Sequence, residues 1–150
     1  MSATTMRRAS PYRLVEEARP EVELHEAVAK ALDLLLLAPA VWTTLPIGHV
    51  KLTGQQADRL ARVGVKRGWF DIIVCHGGRS IGVELKRPGA PLSRSRLVPT
   101  RKGGRRMVEG QREVFPRLQA AGLQIIVCSS VPDVLAQLRG LGVPIRGHTL

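Results

Sequence analysis

Two short apolar segments, FDIIVCH and IGVELK, constrain this chain more than any other feature, because only GGRS separates them. Apolar runs of this length, rich in β-branched residues and joined through adjacent glycines, are typical of two antiparallel strands connected by a tight turn. The sequence therefore predicts a β-hairpin at the centre of the fold, over roughly residues 70–86.

The alternation of side chains along this hairpin brings its charged residues together. Asp71 opens the first strand, whereas Glu84 and Lys86 share one face of the second. A two-residue turn at Gly77 and Gly78 places Asp71 directly across from Glu84. A four-residue turn, GGRS, places it across from Lys86 with Glu84 as the diagonal neighbour. Either register gathers the three charged side chains on one face, at the end far from the turn.

The periodicity of the flanking segments predicts an α/β sandwich with a central mixed β-sheet flanked by helices. Thr53 and Gln56 form a capping-box pattern, and Pro20 suits the first turn of a helix. We expect a flexible basic arm over 1–19, one compact domain over 20–146 and a short tail over 147–150. The predicted helices cover about 20–37, 53–63, 108–121 and 132–138, and the further strands cover 40–45 and 123–129.

The charge balance favours a polyanion as partner. Lysine and arginine number 23 against 12 acidic residues, which gives a formal net charge of +11. Basic surfaces bind nucleic acids by neutralising phosphates and releasing their counterions. Aromatic residues make up only 3% of the chain, which argues against a protein that stacks successive bases on aromatic platforms.

The segment from about 88 to 107 concentrates this charge. It contains three prolines and two adjacent glycines, and we expect a long basic loop there. A solvated loop would have the same composition, but positive charges without an acid beside the charged hairpin favour a clamp on phosphates. The predicted nucleic-acid-binding residues are Arg94, Arg96, Arg101, Lys102, Arg105 and Arg106.

The cysteines and the apolar stretches bear on the compartment. Cys75 and Cys128 each end an IIVC run and are expected to be buried free thiols. No apolar signal region lies in the first twenty residues, and the longest apolar stretch is interrupted at Pro39. We therefore expect a cytoplasmic protein that does not enter a membrane.

The charged cluster of the hairpin suits a divalent cation. Neighbouring carboxylates repel each other, and magnesium, which prefers oxygen ligands and retains several waters, relieves that repulsion. A lysine beside such an ion can orient a water and offset negative charge in a phosphoryl transition state. The same Glu-x-Lys spacing also occurs in ordinary surface ion pairs, so the context of basic charge is needed to favour catalysis.

The ordered set of motifs resembles the PD-(D/E)xK nuclease superfamily, in particular its virus-type replication-repair nuclease (VRR-NUC) branch. The resemblance covers roughly residues 20–146 and includes ELHEAV, VWTTLPIG, GVKRGWFD and VELKRPG. It implies a restriction-endonuclease-like fold and a magnesium-dependent DNA endonuclease, in which manganese substitutes. It further implies action on branched, flap or junction DNA in phage or prophage replication or repair, and pairing into a homodimer.

The resemblance also implies roles for individual residues. Asp71, Glu84 and Lys86 would be catalytic, and the ion would be held by Asp71, Glu84 and the backbone carbonyl of Leu85. A glutamine that follows the catalytic strands in such nucleases matches Gln111. An acidic residue of the first helix also joins the site in this family. Glu21, Glu23 and Glu26 compete for that role, and we favour Glu21 because His25 follows it by one turn.

Two positions depart from the family pattern. Phe70 stands where relatives have proline before the aspartate, and Ile47 stands where they commonly have a polar asparagine. The alternative to an enzyme is a non-catalytic DNA-binding or recombination accessory protein that keeps the nuclease fold. The intact acidic pair and lysine argue against that alternative, because carboxylates near phosphate are unfavourable without a metal.

Overall fold

The computed structural model describes residues 19–45 and 53–147 of the chain. Most of the predicted arm, the segment with Ile47 and the last three residues lie outside the described residues. The helices are α1 (Arg19–Leu35), α2 (Gly54–Arg62), α3 (Gln111–Ala120) and α4 (Val131–Gly140). The strands are β1 (Val41–Thr44), β2 (Ile72–His76), β3 (Arg79–Leu85), β4 (Arg96–Pro99), β5 (Arg105–Val108) and β6 (Gln124–Cys128).

Four of these strands form a mixed sheet in the order β1-β2-β3-β6. The pairs β1–β2 and β2–β3 are antiparallel, whereas β3 and β6 run parallel. The α/β class and the mixed sheet expected from the sequence are therefore confirmed. Each predicted helix forms with modest changes in its ends, and the capping box of Thr53 and Gln56 is present at the start of α2.

One face of the sheet carries the main apolar core. Helices α1 and α4 pack against each other and against the strands on this face. Alternate residues of β2 and β3 point into it, as the period of two predicts. Its fully buried members include Val28, Leu32, Ile72, Val74, Ile81, Val83, Val134 and Leu138.

The opposite face is covered in part by α3 and by the ring of Phe70. This ring lies against Gly82, where an added Cβ would approach it to 2.5 Å. The sheet therefore requires glycine at this position of β3. Phe70 thus has a packing role, and only 2% of it is exposed.

The central hairpin adopts the tighter of the two predicted registers. Gly77 and Gly78 form its turn with φ of 59° and 75°, values that favour glycine and suit the two-residue turns of hairpins. Ile72 pairs with Val83 and His76 with Arg79, which is the register of the two-residue turn. The ladder ends at Ile72, and the amide of Asp71 donates to Val83 O. The structure thereby selects between the two alternatives that the sequence left open.

The basic segment is not the long loop that the sequence predicted. Strands β4 and β5 pair antiparallel and form a two-stranded ribbon. A turn closes it, in which the Thr100 amide donates to Gly104 O at 2.8 Å. The third helix accordingly begins at Gln111 and not near Val108. The prediction was wrong because the ribbon is mostly exposed and lacks the apolar alternation that identifies a half-buried strand.

The two cysteines differ in burial. Cys128 is buried in the main core, whereas Cys75 is only half-buried because β2 directs it to the partly covered face. Both are free thiols, as expected. Among the described residues, every helix is too short or too polar to cross a lipid bilayer.

Candidate active site

Backbone pairing at the end of the hairpin fixes the position of Asp71. Its amide donates to Val83 O at 3.1 Å, and its carbonyl accepts from the Leu45 amide at 2.8 Å. Its carboxylate Oδ2 accepts from the Leu85 amide at 2.8 Å. The side chain is therefore held toward β3, on the side of the sheet where Glu84 also lies.

Glu84 is the most buried acidic group of the site, with 2% of its surface exposed. Its Oε1 accepts a hydrogen bond from Gln111 Nε2 at 2.7 Å and lies 3.2 Å from Lys86 Nζ. Its other oxygen, Oε2, is buried and has no hydrogen-bond partner. A buried carboxylate oxygen without a partner is unfavourable, so this atom is suited to receive a ligand.

The surroundings of Glu84 shift its ionisation. Burial, followed by the nearby charge of Asp71, raises the pKa of Glu84 from 4.5 to about 7, although Gln111 and Lys86 act in the opposite direction. The carboxyl therefore takes up a proton near neutral pH in the absence of another cation. A cation placed near both acids would favour the ionised form.

Gln111 connects the acidic pair to the root of the basic ribbon. While its Nε2 donates to Glu84, its Oε1 accepts from the Ser93 amide at 3.2 Å. The Ser93 hydroxyl in turn accepts from the Gln111 amide at 3.0 Å and so caps α3. The N-cap residue, Gly110, has no side chain that could cap the helix itself. A larger residue would not fit there, because its Cβ would lie 2.3 Å from the Arg94 carbonyl carbon. Gln111 thus orients Glu84 and fixes the ribbon beside it.

These groups lie at a cleft of about 210 Å³. Lys86 lines it, with a side chain that is 16% exposed and can reach solvent. Of the three competing glutamates in α1, Glu21 lines the cleft, whereas Glu23 and Glu26 are exposed elsewhere on the helix. The Glu21 carboxylate lies 3.9 Å from the Arg87 guanidinium.

His25, one turn after Glu21, does not line the cleft. It is buried, and its Nε2 lies 3.0 Å from Thr44 Oγ1 of β1. This contact ties the first turns of α1 to the edge of the sheet. The histidine therefore supports the position of the helix that carries Glu21.

The six predicted basic residues are all exposed, and the ribbon presents them beside other cations. Arg101, at its turn, lines a surface depression together with Arg59 and Arg62 of α2. Arg106 of β5 lines a second groove with Lys66 and Arg67. Lys66 and Arg67 also line the acidic cleft, so these two cations lie both in the cleft and in the groove beside the ribbon, where Glu109 is the one acid among the lining residues.

The cleft also includes residues that sequence reasoning did not assign to the site, among them Lys66, Arg67, Trp69 and Ser93. The first three belong to GVKRGWFD, directly before Asp71, so their nearness in the chain was an available signal. Ser93 lies six residues beyond Arg87 and gave no such signal. Its position depends on the hydrogen bonds with Gln111, which join segments distant in sequence.

The donors available to a metal ion are few. Among residues 19–45 and 53–147, no three His, Cys, Asp or Glu side chains form a metal-binding group. The cleft instead offers the carboxylates of Asp71 and Glu84, with that of Glu21 also in its lining, and Leu85, whose carbonyl was the third predicted ligand, lines it too. Magnesium accepts so small a protein contribution because waters and phosphate oxygens complete its shell.

Comparisons with known proteins yield no match to this chain among protein families, curated proteins or solved structures.

Proposed function

We propose that this protein is a magnesium-dependent endonuclease of restriction-endonuclease-like fold that hydrolyses phosphodiester bonds of DNA, with Asp71, Glu84 and Lys86 in its active site. The observation that carries the proposal is the meeting of two carboxylates and an ammonium at one cleft, with Glu84 Oε2 buried and without a hydrogen-bond partner. A purely structural ion pair would be expected to satisfy both oxygens of so buried a carboxylate.

The donor set fits a magnesium ion. Asp71 and Glu84 supply carboxylate oxygens from adjacent strands, and the Leu85 carbonyl is the further ligand that the family resemblance implies. When bound, magnesium polarises a phosphate and lowers the pKa of a coordinated water. Manganese, which also takes oxygen ligands, is expected to substitute.

Lys86 and Gln111 have different roles in this proposal. The Lys86 ammonium donates to Glu84 and still reaches solvent, so it can also donate to a water or to a phosphate oxygen. In the transition state it would offset the negative charge that develops on phosphorus-bound oxygens. Gln111 uses both ends of its amide within the protein, and we assign it to the orientation of Glu84. Glu21, which lines the cleft, would be the acidic residue of the first helix that joins the site.

DNA is the favoured substrate because of the charge around the cleft. The exposed cations of the ribbon and of residues 66–67 would neutralise backbone phosphates on the approach to the acidic pair. Such contacts position the duplex without reading its sequence. Branched, flap and junction DNA are the substrates to test first, and a pair of active sites in a homodimer could address two strands.

A cleavage assay tests the proposal. Supercoiled plasmid, flap and four-way-junction DNA are incubated with the protein and magnesium, and products are separated by electrophoresis. We expect cutting by the wild type and a loss of at least about 100-fold in Asp71→Ala, Asp71→Asn and Lys86→Ala, the scale of a lost electrostatic contact in catalysis. The matched controls Asp33→Ala and Lys30→Ala alter exposed residues of α1 and should cut normally.

Binding measured in EDTA separates catalysis from affinity. The Asp71 variants should bind DNA as tightly as the wild type or more tightly, because Asp71 repels phosphate when no cation is present. Cutting that persists in Asp71→Ala would contradict the assignment of the site. Salt-sensitive binding without any metal-dependent cutting would contradict the enzyme and favour the DNA-binding accessory protein.

A further inference from the structure

Trp69 is a large aromatic residue at the cleft, in a chain where aromatic residues are scarce. It is 40% exposed and lines the cleft with the acidic pair. It is one of only two tryptophans in the chain. The other, Trp42 of β1, packs against the main core and does not line the cleft. An indole left this open beside a charged site is a candidate for contact with substrate.

The residues around Trp69 hold it in place. Its ring lies against that of Phe70, with centroids 5.7 Å apart and planes at 48°. Phe70 is itself fixed on Gly82 of the sheet. The residue before Trp69, Gly68, has a φ of 80° and packs against α3, where a Cβ would meet Val114 at 2.7 Å. The neighbouring ring and the closely packed backbone therefore restrain the indole, which lowers the conformational entropy that it loses when a ligand binds.

Two cations share the cleft wall with this ring. Lys66 and Arg67 precede it by three and two residues and are exposed. An aromatic face next to positive charge is the combination by which proteins bind single-stranded nucleic acid, because the ring stacks on a base while the cations contact the backbone. Here one ring can take one base, which agrees with the low aromatic content of the chain.

We propose that Trp69 stacks on one unpaired base of the substrate, next to the phosphate that lies at Asp71 and Glu84. The inference deepens the proposed function and rests on it, since it takes the cleft as the place of the scissile phosphate. In an intact duplex both faces of each base are covered by neighbouring pairs. The substrate class is therefore DNA with an unpaired nucleotide at the point of cutting, such as a flap, a fork or a single strand.

The two tryptophans allow a direct test in solution. The variant Trp42→Phe retains Trp69 as its only tryptophan, and its emission is followed in EDTA during titration with oligothymidylate or with a blunt duplex of equal length. Fluorescence anisotropy of dye-labelled DNA gives the occupancy. We expect the single strand to quench Trp69 emission and the duplex, at equal occupancy, to leave it nearly unchanged. Quenching by the duplex to the same extent would overturn the inference.

Substitution of the ring gives the second readout. Trp69→Ala should weaken binding of oligothymidylate by about tenfold, whereas Trp69→Phe should retain most of the affinity and Trp42→Phe all of it. Thermal unfolding checks that the variants fold. Unchanged affinity of folded Trp69→Ala would overturn the inference. With magnesium, Trp69→Ala should lose flap cleavage in preference to plasmid nicking, and an equal loss on both substrates would contradict the stacking role.

The test distinguishes this inference from the proposed function, because the fluorescence readout requires no catalysis. Quenching of Trp69 by the single strand in a protein that never cuts would support the stacking site and contradict the nuclease. Cutting of all substrates by a protein whose Trp69 emission never changes would contradict the stacking site alone.

Discussion

The two β-hairpins among the described residues, β2–β3 and β4–β5, differ in what holds them together. The hairpin β2–β3 lies at the centre of the sheet, and its inward residues Ile72, Val74, Ile81 and Val83 are completely buried. The ribbon β4–β5 has mostly exposed residues and is attached at its root through Ser93, Ser95 and α3. The first hairpin carries the acids of the candidate site, and the second carries cations.

This difference suggests that the two hairpins have different functions, with the buried hairpin holding the acids in fixed positions and the exposed ribbon contacting DNA. Acids that hold a metal ion must be fixed within a fraction of an ångström, which a buried hairpin achieves through packing. Cations that follow a DNA backbone need no such precision, because phosphate contacts are long-ranged and tolerant of geometry. We therefore expect substitutions in the two hairpins to affect different properties.

The largest expected effect is on the free energy of unfolding, which should respond differently to substitutions in the two hairpins. Ile81→Ala removes a fully buried side chain from β3 and should lower the free energy of unfolding by about 2–5 kcal/mol. Leu97→Ala in β4, where the side chain is 56% exposed, should change it by less than about 0.5 kcal/mol. Urea denaturation measures both. Equal losses in the two variants would contradict the view of the ribbon as a weakly packed element.

The next effect is a pH dependence that belongs to the central hairpin. Because the pKa of Glu84 is raised from its ordinary value of 4.5 to about 7 in the folded protein, the folded state binds the proton more tightly than the unfolded chain does. Without metal, Glu84 therefore makes its full contribution to the free energy of unfolding at pH values below its pKa in the unfolded chain. This contribution is lost as the pH rises toward 7, by an amount on the order of a few kcal/mol.

Urea denaturation at pH 5 and pH 8 in EDTA measures this change. The variant Glu84→Gln has no titrating group at this position and should lose that part of the pH dependence. Glu113→Gln, an exposed residue of α3, is the matched control and should behave as the wild type. The same change in the free energy of unfolding between pH 5 and pH 8 in the wild type and in Glu84→Gln would contradict the proton-binding role of Glu84.

The smallest effect belongs to the ribbon and concerns affinity. The double substitution of Arg101 and Lys102 by alanine should weaken binding to DNA by about tenfold and reduce the salt dependence of log K by up to about 2. Lys30 and Arg146, which are exposed and line neither the cleft nor the two basic depressions, provide a control with equal loss of charge. Anisotropy titrations at several salt concentrations measure both. Equal weakening in the two double variants would indicate that net charge alone governs binding.

The same contrast explains which parts of the fold the sequence could predict. The alternation and paired glycines of the central hairpin are strong local signals, and they limited the register to two choices. The capping box of Thr53 was equally local and is confirmed. The ribbon escaped prediction because RLVP and RRMV have no buried face to enforce a period of two, and pairing between them is a tertiary property.

Only the residues of the candidate site that lie on or next to the strands of the central hairpin could be predicted from strand periodicity. Strand parity brought Asp71, Glu84 and Lys86 to one face, and the structure has them there with Gln111 bonded to Glu84. The roles of Lys66, Arg67 and Trp69 depend on how a loop turns back at Gly68 toward α3, where backbone and side chains meet closely. No periodic pattern marks such a close approach.

The central claim is that Asp71 and Glu84 together hold a divalent cation, and paramagnetic broadening by manganese tests it most directly. In ¹⁵N-labelled protein titrated with substoichiometric manganese, we predict that the amide signals of Leu85, Lys86 and Gln111 broaden first. This broadening should be absent in Asp71→Asn and in Glu84→Gln. Broadening centred on other acids, such as Glu109 and Glu113, or equal broadening at the cleft in both variants, would contradict the claim.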